Sequence, residues 1–247
     1  MLVNSSHMKQ PYLFCLALAS ISSISGLQAQ APKKEWPEPA VVAPAYQGDP
    51  VAAPEGAIVL FNGKDAAAWK QVPRKNDATQ TDAVRWKIDG GFMEIVPGTG
   101  EVITKEAVIT SGHLHLEWAT PEKVVSSGQG RGNSGVFIGG FPEIQVLDSF
   151  ENKTYFDGQA AAFYHHRPPL VNASRGPGLW QCYDIIIQRA IVENGKIIKP
   201  ATVTVKHNNV LVQDRVEFKN PQQQGTLQFQ DHNNPVRFRN IWFLQKK

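Results

Sequence analysis

Cysteine is nearly absent from this chain, which has only Cys15 and Cys182 among its 247 residues. Cys15 lies in an apolar N-terminal stretch, so a single thiol remains in the body of the chain and no internal disulfide is expected there. The residues around Cys182 alternate between polar and apolar, as in a β-strand. Cys182 is therefore predicted to be a buried structural residue and not a nucleophile.

The sequence also lacks an excess of either charge. Lys and Arg total 25 and Asp and Glu total 22, which gives a formal net charge of +3, and no long basic run is present. Nucleic-acid binding requires Lys and Arg concentrated on one face, so no nucleic-acid partner is expected. The hydrophobic share of 42% is enough for a packed core, and the length suits one large β-sandwich.

Long apolar runs are missing beyond the N-terminus, so no transmembrane span is predicted. Residues 11–19 (PYLFCLALA) form an apolar stretch that is too short for a bilayer-spanning helix. This stretch follows Lys9 and precedes a Ser-rich segment that ends with Leu27-Gln28-Ala29. The order of positive, apolar and small residues is typical of a secretory signal peptide, here residues 1–29. We therefore expect export to the periplasm or the extracellular space.

Proline is concentrated in residues 30–55, and at this density it removes backbone donors and stiffens the chain. The segment is predicted to be an extended linker before a domain at residues 56–247. In that domain no stretch keeps the 3.6-residue period of a helix, whereas short β-like runs alternate with turn signals. This pattern predicts an all-β sandwich or barrel. The clearest runs are residues 113–119, 134–138, 143–147, 181–189, 201–206 and 236–243.

The run EIQVL, residues 143–147, carries polar residues on one strand face. Side chains alternate across a strand, so Glu143 and Gln145 lie on one face and Ile144 and Val146 on the other. The apolar pair is predicted to belong to the core. The polar pair suits either plain solvent surface or a sugar-binding face, where carboxylates and amides hydrogen-bond to hydroxyl groups.

A second polar face is predicted on the run HLHLEWA, where His113, His115 and Glu117 follow at two-residue spacing. Two imidazoles and a carboxylate can bind a divalent ion, but neighbours about 7 Å apart reach one metal only with suitable rotamers. We prefer the alternative, a solvated or sugar-contacting face. Trp180 and Tyr164 offer flat rings on which sugars stack, although such rings are more often core or rim residues.

Glycine is dense in GRGNSG, residues 130–135, which leads into a strand. Glycine there allows a ligand to approach the backbone closely, and the alternative is a flexible loop. The motif lacks the Lys-Ser/Thr of a phosphate-binding loop. Near the C-terminus, His232 lies in a polar, turn-like cluster. Its titration range suits proton transfer, although a turn histidine without a function is the commoner case.

Six segments of the chain, in order, resemble the 3-keto-disaccharide hydrolase family and together cover about residues 56–247. Any one segment is a weak match, whereas six in order are specific, and EIQVLDSF is the most specific of them. The resemblance implies a concanavalin-like jelly-roll sandwich of two antiparallel sheets, with a ligand groove on the concave face. The segments are LFNGKDAAAW (60–69), GRGNSGVF (130–137), EIQVLDSF (143–150), AAFYHHRPPLVNAS (161–174), LWQCYDI (179–185) and FQDHNNPVRFRNIW (229–242).

The activity that the resemblance implies is cleavage of glycosides whose C3 hydroxyl has been oxidised to a ketone. The ketone acidifies the C2 proton, so a base can remove it, the C1 aglycone leaves by elimination, and water adds afterwards. Such a site needs a base, a proton donor and a stabiliser of the enolate oxygen. The candidate base is Glu143 or Asp148, and His232 is the candidate proton shuttle. The candidate substrate-binding residues are Arg131, Asn133, Gln145, Tyr164, Trp180, His115 and Glu117.

A divalent ion is an alternative stabiliser of the enolate, with its ligands unassigned. The spacing of Glu143 and Asp148 disfavours an ordinary two-carboxylate glycosidase. In a continuous strand they would be about 16 Å apart on opposite faces, whereas glycosidase carboxyls are about 5–9.5 Å apart. A cross-strand pair such as Glu117 with Glu143 stays open. Two other functions also stay open, a non-catalytic carbohydrate-binding module on the same fold and an ordinary glycosidase for unoxidised glycans. The oligomeric state is not predicted.

Overall fold

The computed structural model describes Met1, residues 36–77, Thr79 and residues 81–246. By its internal contacts the chain divides into two units, Met1–Glu35 and Trp36–Lys247, and the elements below belong to the second. Apart from Met1, the predicted signal peptide lies outside the described residues. Two short 3₁₀ helices cover Gly128–Gly130 and Phe156–Gly158. The strands are β1 (Ala40–Val41), β2 (Ile58–Phe61), β3 (Trp69–Val72), β4 (Lys87–Asp89), β5 (Phe92–Glu94), β6 (Glu101–Thr104), β7 (Gly112–Ala119), β8 (Ser134–Ile138), β9 (Ile144–Val146), β10 (Val171–Asn172), β11 (Gln181–Gln188), β12 (Ile191–Glu193), β13 (Lys196–Lys199), β14 (Ala201–His207), β15 (Val210–Phe218), β16 (Leu227–Phe229) and β17 (Arg237–Gln245).

Two antiparallel sheets pack against each other as a sandwich. The larger sheet has the strand order β15-β14-β11-β7-β17-β5-β4, and β2 also pairs with β17. The smaller sheet has the order β3-β6-β16-β8-β9. Outside these sheets, β12 and β13 form a hairpin, and β1 pairs in parallel with β10. The predicted all-β sandwich of two antiparallel sheets is confirmed.

The core forms because apolar residues alternate along the strands of both sheets. In β7, Leu114, Leu116 and Trp118 are fully buried, and in β9 Ile144 and Val146 are 1% and 0% exposed. All five belong to one hydrophobic cluster, so β7 and β9 bury their apolar faces against the same core. The prediction that Ile144 and Val146 are core residues is confirmed. The polar residues that alternate with them therefore point away from the core.

Cys182 lies in β11, is fully buried and forms no disulfide. Burial raises the pKa of its thiol to about 12. The thiolate, which is the reactive form of cysteine, is therefore not populated at neutral pH. This agrees with the prediction of a structural residue.

We expect Ile144→Ala to lower the free energy of unfolding by about 2–5 kcal/mol, because the truncation leaves a cavity in a packed core. Chemical denaturation followed by fluorescence measures the change. Ile186→Ala is the matched control. Ile186 is 44% exposed on the face of β11 that is turned away from the core, so its truncation should change the free energy of unfolding little. Equal losses in the two variants would contradict the assignment of Ile144 to the core.

Residues 36–55, called the strap below, lie along the larger sheet. The backbone amides of Ala45 and Tyr46 donate to the carbonyl of Asn208 at 3.0 and 3.1 Å. Farther along, the amide of Val51 donates to Glu117 Oε1 at 2.8 Å. The described part of the predicted linker is thus extended chain that is hydrogen-bonded to the domain.

In the part of the chain that the structure describes, no helix is long and apolar enough to cross a membrane.

Candidate functional site

The outer face of the smaller sheet, turned away from the core, carries a polar surface centred on Glu143, which directly precedes β9. The amide of Tyr164 donates to the carbonyl of Glu143 at 2.9 Å, and Ile144 forms an antiparallel bridge with Phe163. Opposed residues of an antiparallel pair point to the same face. Because Ile144 and Phe163 are both 1% exposed in the core, Glu143 and Tyr164 point together to the outer face. We call this surface, with Glu101, Gln145 and Gln228, the polar face.

Gly135 in β8 supplies the space that the Glu143 carboxyl group occupies. It pairs with Gln145 in the register of β8 and β9. A Cβ atom added to Gly135 would lie 2.1 Å from Glu143 Oε1, far inside the contact distance of two atoms. The second half of the GRGNSG segment thus brings the chain under Glu143 with no side chain in the way.

The carboxyl group of Glu143 is suited to exchange a proton at neutral pH. Burial, and secondarily the charge of Glu101, raise its pKa to about 7. Within the described residues no hydrogen bond reaches this carboxyl group. A group with this pKa is present in both protonation states near pH 7, so it can accept a proton and return it.

Glu101 in β6 is a second carboxyl group on the polar face. Gln228 donates its side-chain amide to Glu101 Oε2. Burial raises the pKa of Glu101, the Gln228 hydrogen bond opposes this, and the charge of Asp231 adds to it. Because two nearby carboxyl groups resist ionising together, Glu101 helps keep Glu143 partly protonated.

A cluster of amide side chains lies beside Glu143. Gln145 Nε2 donates to Gln129 Oε1 at 2.8 Å, and Asn133 Nδ2 donates to the Gln129 carbonyl at 2.7 Å. Gln145 Oε1 and Asn133 Oδ1 are buried and have no partner among the described residues. Buried acceptors of this kind suit the hydroxyl groups of a ligand or an ordered water. The structure therefore brings together Gln145 and Asn133, two of the predicted substrate-binding residues.

Asp148 and Arg131 form an ion pair past the end of β9, with Arg131 Nε 2.7 Å from Asp148 Oδ2. Burial raises the pKa of Asp148, and Arg131 opposes the rise. The pair lines a cavity of about 250 Å³ together with Asn233 and Asn234. His232, next to these residues, is exposed and accepts a hydrogen bond at its carbonyl from Asn234. The Asp148 carboxylate is thus engaged in an ion pair with Arg131.

His115, Glu117 and Trp180 lie apart from the polar face, on the outer face of the larger sheet. His115 and Glu117 are 0% exposed, so of the predicted solvated or sugar-contacting face the solvated alternative is wrong for these two residues. The strap covers Glu117, the Trp242 ring stacks on His115 at 4.9 Å, and Arg239 Nε donates to Glu117 Oε2 at 2.7 Å. The guanidinium of Arg239 lies 4.1 Å from the ring centre of Trp180. A pair of Glu117 with Glu143 does not form, because the two residues belong to different sheets and both point away from the core between them.

His113 and His115, the histidines considered as metal ligands, both hydrogen-bond to the carboxylate of Asp184. His113 Nε2 and His115 Nδ1 each lie 2.8 Å from Asp184 Oδ1. Over the described ranges, no group of three His, Cys, Asp or Glu side chains has an arrangement that could hold a metal ion. The divalent-ion alternative therefore still has no assigned ligands.

Four residues at this site were not predicted, namely Glu101, Gln228, Gln129 and Tyr155, whose hydroxyl lies 2.5 Å from that of Tyr164. The period-2 alternation with the core residues Val102 and Phe229 places Glu101 and Gln228 on the outer face, and this signal was present in the sequence. Tyr155 precedes a 3₁₀ helix in a loop without regular period, so no pattern could have placed it.

Gly135→Ala is expected to lower kcat by at least about 10-fold if Glu143 is the base, because the new methyl group displaces its carboxyl group. The fold should persist, since the atom in the way is the end of a flexible side chain. Steady-state kinetics and a thermal melt measure both effects. Gly176→Ala is the matched control, because Gly176, like Gly135, has no positive φ, and its added Cβ would meet only ordinary contacts at 3.9 Å or more. An active Gly135→Ala enzyme would contradict this placement of Glu143.

Comparison with known proteins agrees with this fold. Residues 56–244 match the model of the 3-keto-alpha-glucoside-1,2-lyase-like domain. A solved structure from Parabacteroides distasonis, provisionally described as a glycosyl hydrolase, is 33% identical with a TM-score of 0.71, over 87% of this chain and 95% of that chain. Another from the same organism, with the same description, is 17% identical with a TM-score of 0.57, over 78% and 95% of the two chains, and supports the fold alone. No curated protein matches the chain.

The fold and the matched residues define a carbohydrate-processing protein of the glycoside-hydrolase type. The chain belongs to the family of the 3-keto-alpha-glucoside-1,2-lyase-like domain, so the resemblance to the 3-keto-disaccharide hydrolases is confirmed.

Proposed function

We propose that this chain cleaves 3-keto-glycosides by elimination across C1 and C2, with Glu143 as the base. The observation that carries the proposal is the Glu143 carboxyl group, which is partly buried, free of hydrogen bonds from the described residues, and has a pKa of about 7. A base with a pKa near the working pH removes a carbon-bound proton most effectively. The family match supports the choice of a 3-keto sugar as substrate.

The reaction needs one group that takes a proton and gives it back. The C2–H bond breaks, its proton moves to Glu143, and the electron pair forms the C2=C3 bond of an enolate. The C3=O bond then forms again, the C1–O bond to the aglycone breaks, a C1=C2 bond forms, and the aglycone oxygen takes the proton from Glu143. Water adds across C1=C2 in a later step and gives the free 3-keto sugar. No oxidant or reductant is consumed.

The neighbouring side chains suit the binding of the sugar. The unpartnered oxygens of Gln145 and Asn133 accept hydrogen bonds from sugar hydroxyls, and Tyr164 forms a wall beside Glu143. Arg131 and Asp148, which line the adjacent cavity, contact the more distant part of a glycoside. Asp148 is less suited than Glu143 to act as the base because Arg131 holds it. The exposed His232 is placed to exchange protons with solvent in the hydration step.

A conventional glycosidase acting on unoxidised glycans is the second candidate. The observation that favours it is the presence of Glu101, a second carboxyl group whose charge affects the pKa of Glu143. Such enzymes usually use two nearby carboxyl groups as their catalytic residues. A binding module that never turns over its sugar is the third candidate.

One experiment separates the three candidates. The chain is incubated with a 3-keto-glucoside and, separately, with its unoxidised parent, and the products are identified by mass spectrometry and NMR. We expect cleavage of the 3-keto-glucoside alone. Cleavage of the parent would favour the conventional glycosidase, and binding of either compound without turnover would favour the module.

Export is part of the proposal, based on the pattern of residues 1–29. We expect the mature protein in the native host to begin at Gln30 and to be found outside the cytoplasm. N-terminal sequencing of the protein from cell fractions tests this. A cytoplasmic protein that keeps Lys9 and the apolar stretch would contradict it.

A further inference from the structure

Two tyrosine hydroxyls meet beside Glu143. Tyr155 Oη and Tyr164 Oη are 2.5 Å apart, so one hydroxyl donates a hydrogen bond to the other. Tyr164 stands directly across from Glu143, as its backbone hydrogen bond shows. The phenol pair therefore borders the same space as the Glu143 carboxyl group.

The loop that carries Tyr155 is held in place from several sides. Gln129 Nε2 donates to Thr154 Oγ1 at 2.9 Å and to the Gly158 carbonyl at 2.8 Å. A Cβ atom added to Gly158 would lie 2.1 Å from Tyr155 Cε2, so the ring lies flat against this glycine. The ring of His165 stacks on Tyr155 at 5.2 Å. Tyr155 is nevertheless 39% exposed, so a substrate can reach it.

We propose that Tyr155 is a catalytic residue that donates a hydrogen bond to the C3 oxygen of the substrate as the enolate forms. This inference rests on the proposed function. When Glu143 takes the C2 proton, the negative charge moves from its carboxylate to the C3 oxygen. A preorganised donor at the place where charge develops stabilises the transition state.

The phenol pair makes Tyr155 a strong donor. If Tyr164 donates to Tyr155 Oη, the Tyr155 proton is free for the substrate, and hydrogen bonds in such a chain strengthen one another. Burial, and secondarily the charges of Asp157 and Glu143, raise the pKa of Tyr155, so its phenol stays protonated at neutral pH. Tyr155 gives up no proton in this role, and the proton from C2 passes by way of Glu143 to the aglycone.

The test is Tyr155→Phe, which removes the hydroxyl and keeps the ring. We expect kcat to fall by about 10²–10³-fold, the usual cost of losing one such donor. KM should change by less than about threefold, since the lost interaction strengthens only in the transition state. The loss should be equal for nitrophenyl and methyl 3-keto-glucosides, and exchange of the C2 proton with solvent should slow in parallel. Tyr46→Phe is the control, because Tyr46 is a 4% exposed tyrosine of the strap beside Glu117 and Arg239, away from the polar face, and its activity should equal wild type.

Each other outcome overturns the assignment. A Tyr155→Phe enzyme with wild-type kcat shows that the hydroxyl has no catalytic role. A loss confined to the methyl glucoside, the poorer leaving group, assigns Tyr155 to protonation of the aglycone instead. A rise in KM with unchanged kcat and unchanged C2 exchange makes it a sugar-binding residue only. A wild-type chain inert toward every 3-keto-glucoside refutes the proposed function itself, which distinguishes that failure from the three above.

Discussion

Glu143→Gln is expected to lower kcat for a 3-keto-glucoside by about 10³-fold, within the range that a positioned acid–base group contributes. The amide of glutamine keeps the size and polarity of the side chain but cannot take the C2 proton. The expected loss is therefore in kcat more than in KM, because hydroxyl contacts to the substrate remain. The rate of product formation from the nitrophenyl and methyl 3-keto-glucosides measures the activity of the variant.

The same substitution should stabilise the protein at high pH. The pKa of Glu143 is raised from its usual value of 4.5 to about 7 in the folded state, so folding binds a proton between these values. The stabilisation that protonated Glu143 contributes to the folded state is fully present below pH 4.5 and is lost as the pH rises through 7. Because the group is partly exposed, we expect Glu143→Gln to gain only about 1–2 kcal/mol near pH 8, and nothing near pH 4.

Denaturation at both pH values measures this difference. Glu193→Gln is the matched control, since it makes the same chemical change at an exposed hairpin position and should alter neither activity nor stability. A Glu143→Gln protein that unfolds more easily at pH 8 and keeps its specific activity would contradict the assignment of Glu143 as the base. Such a result would make Glu143 a structural residue.

Glu117→Ala is expected to lower the free energy of unfolding by about 3–5 kcal/mol, the cost of breaking a buried ion pair. Burial alone would raise the pKa of Glu117, but hydrogen bonds led by those from His115 and Asn240 lower it to about 2. Its removal leaves the Arg239 guanidinium without its carboxylate and the Val51 amide without an acceptor. The strap should then exchange its amide hydrogens faster than in the wild type.

The activity of the folded Glu117→Ala protein tests the role of the larger sheet. Because Glu117 and Glu143 belong to different sheets, we expect kcat at a temperature well below the melting point to stay within about threefold of wild type. Hydrogen exchange of strap peptides and kinetics on the same sample measure both effects. Loss of activity in a variant that stays folded with its strap in place would return Glu117 to the substrate-binding residues.

Much of the fold could be predicted from the sequence, because alternation within a strand is a local property. The pattern of residues 143–147 separates the buried Ile144 and Val146 from Glu143 without any knowledge of the partner strands. The same rule places His115 and Glu117 on one face of β7. It does not show what covers that face. Val51 of the strap, 66 residues earlier in the chain, contacts Glu117, and the Trp242 ring stacks on His115.

The candidate site was only partly predictable for a related reason. Glu143 and Gln145 come from one strand, and their shared face is read from spacing. Tyr155 reaches Glu143 only because the loop after β9 returns and sets Tyr164 across from it. That return depends on pairing between distant residues, which no period in a single sequence encodes.

A 3-keto-glucoside with deuterium at C2 shows whether the C2 proton leaves during cleavage. We expect single-turnover cleavage to slow, or deuterium to be lost to solvent when proton removal is reversible, because the C2 proton must leave before or with the aglycone. The unoxidised parent should be inert, since without the ketone its C2 proton is too weakly acidic for a carboxylate. Rapid cleavage with the C2 deuterium fully retained and no change in rate would contradict elimination across C1 and C2.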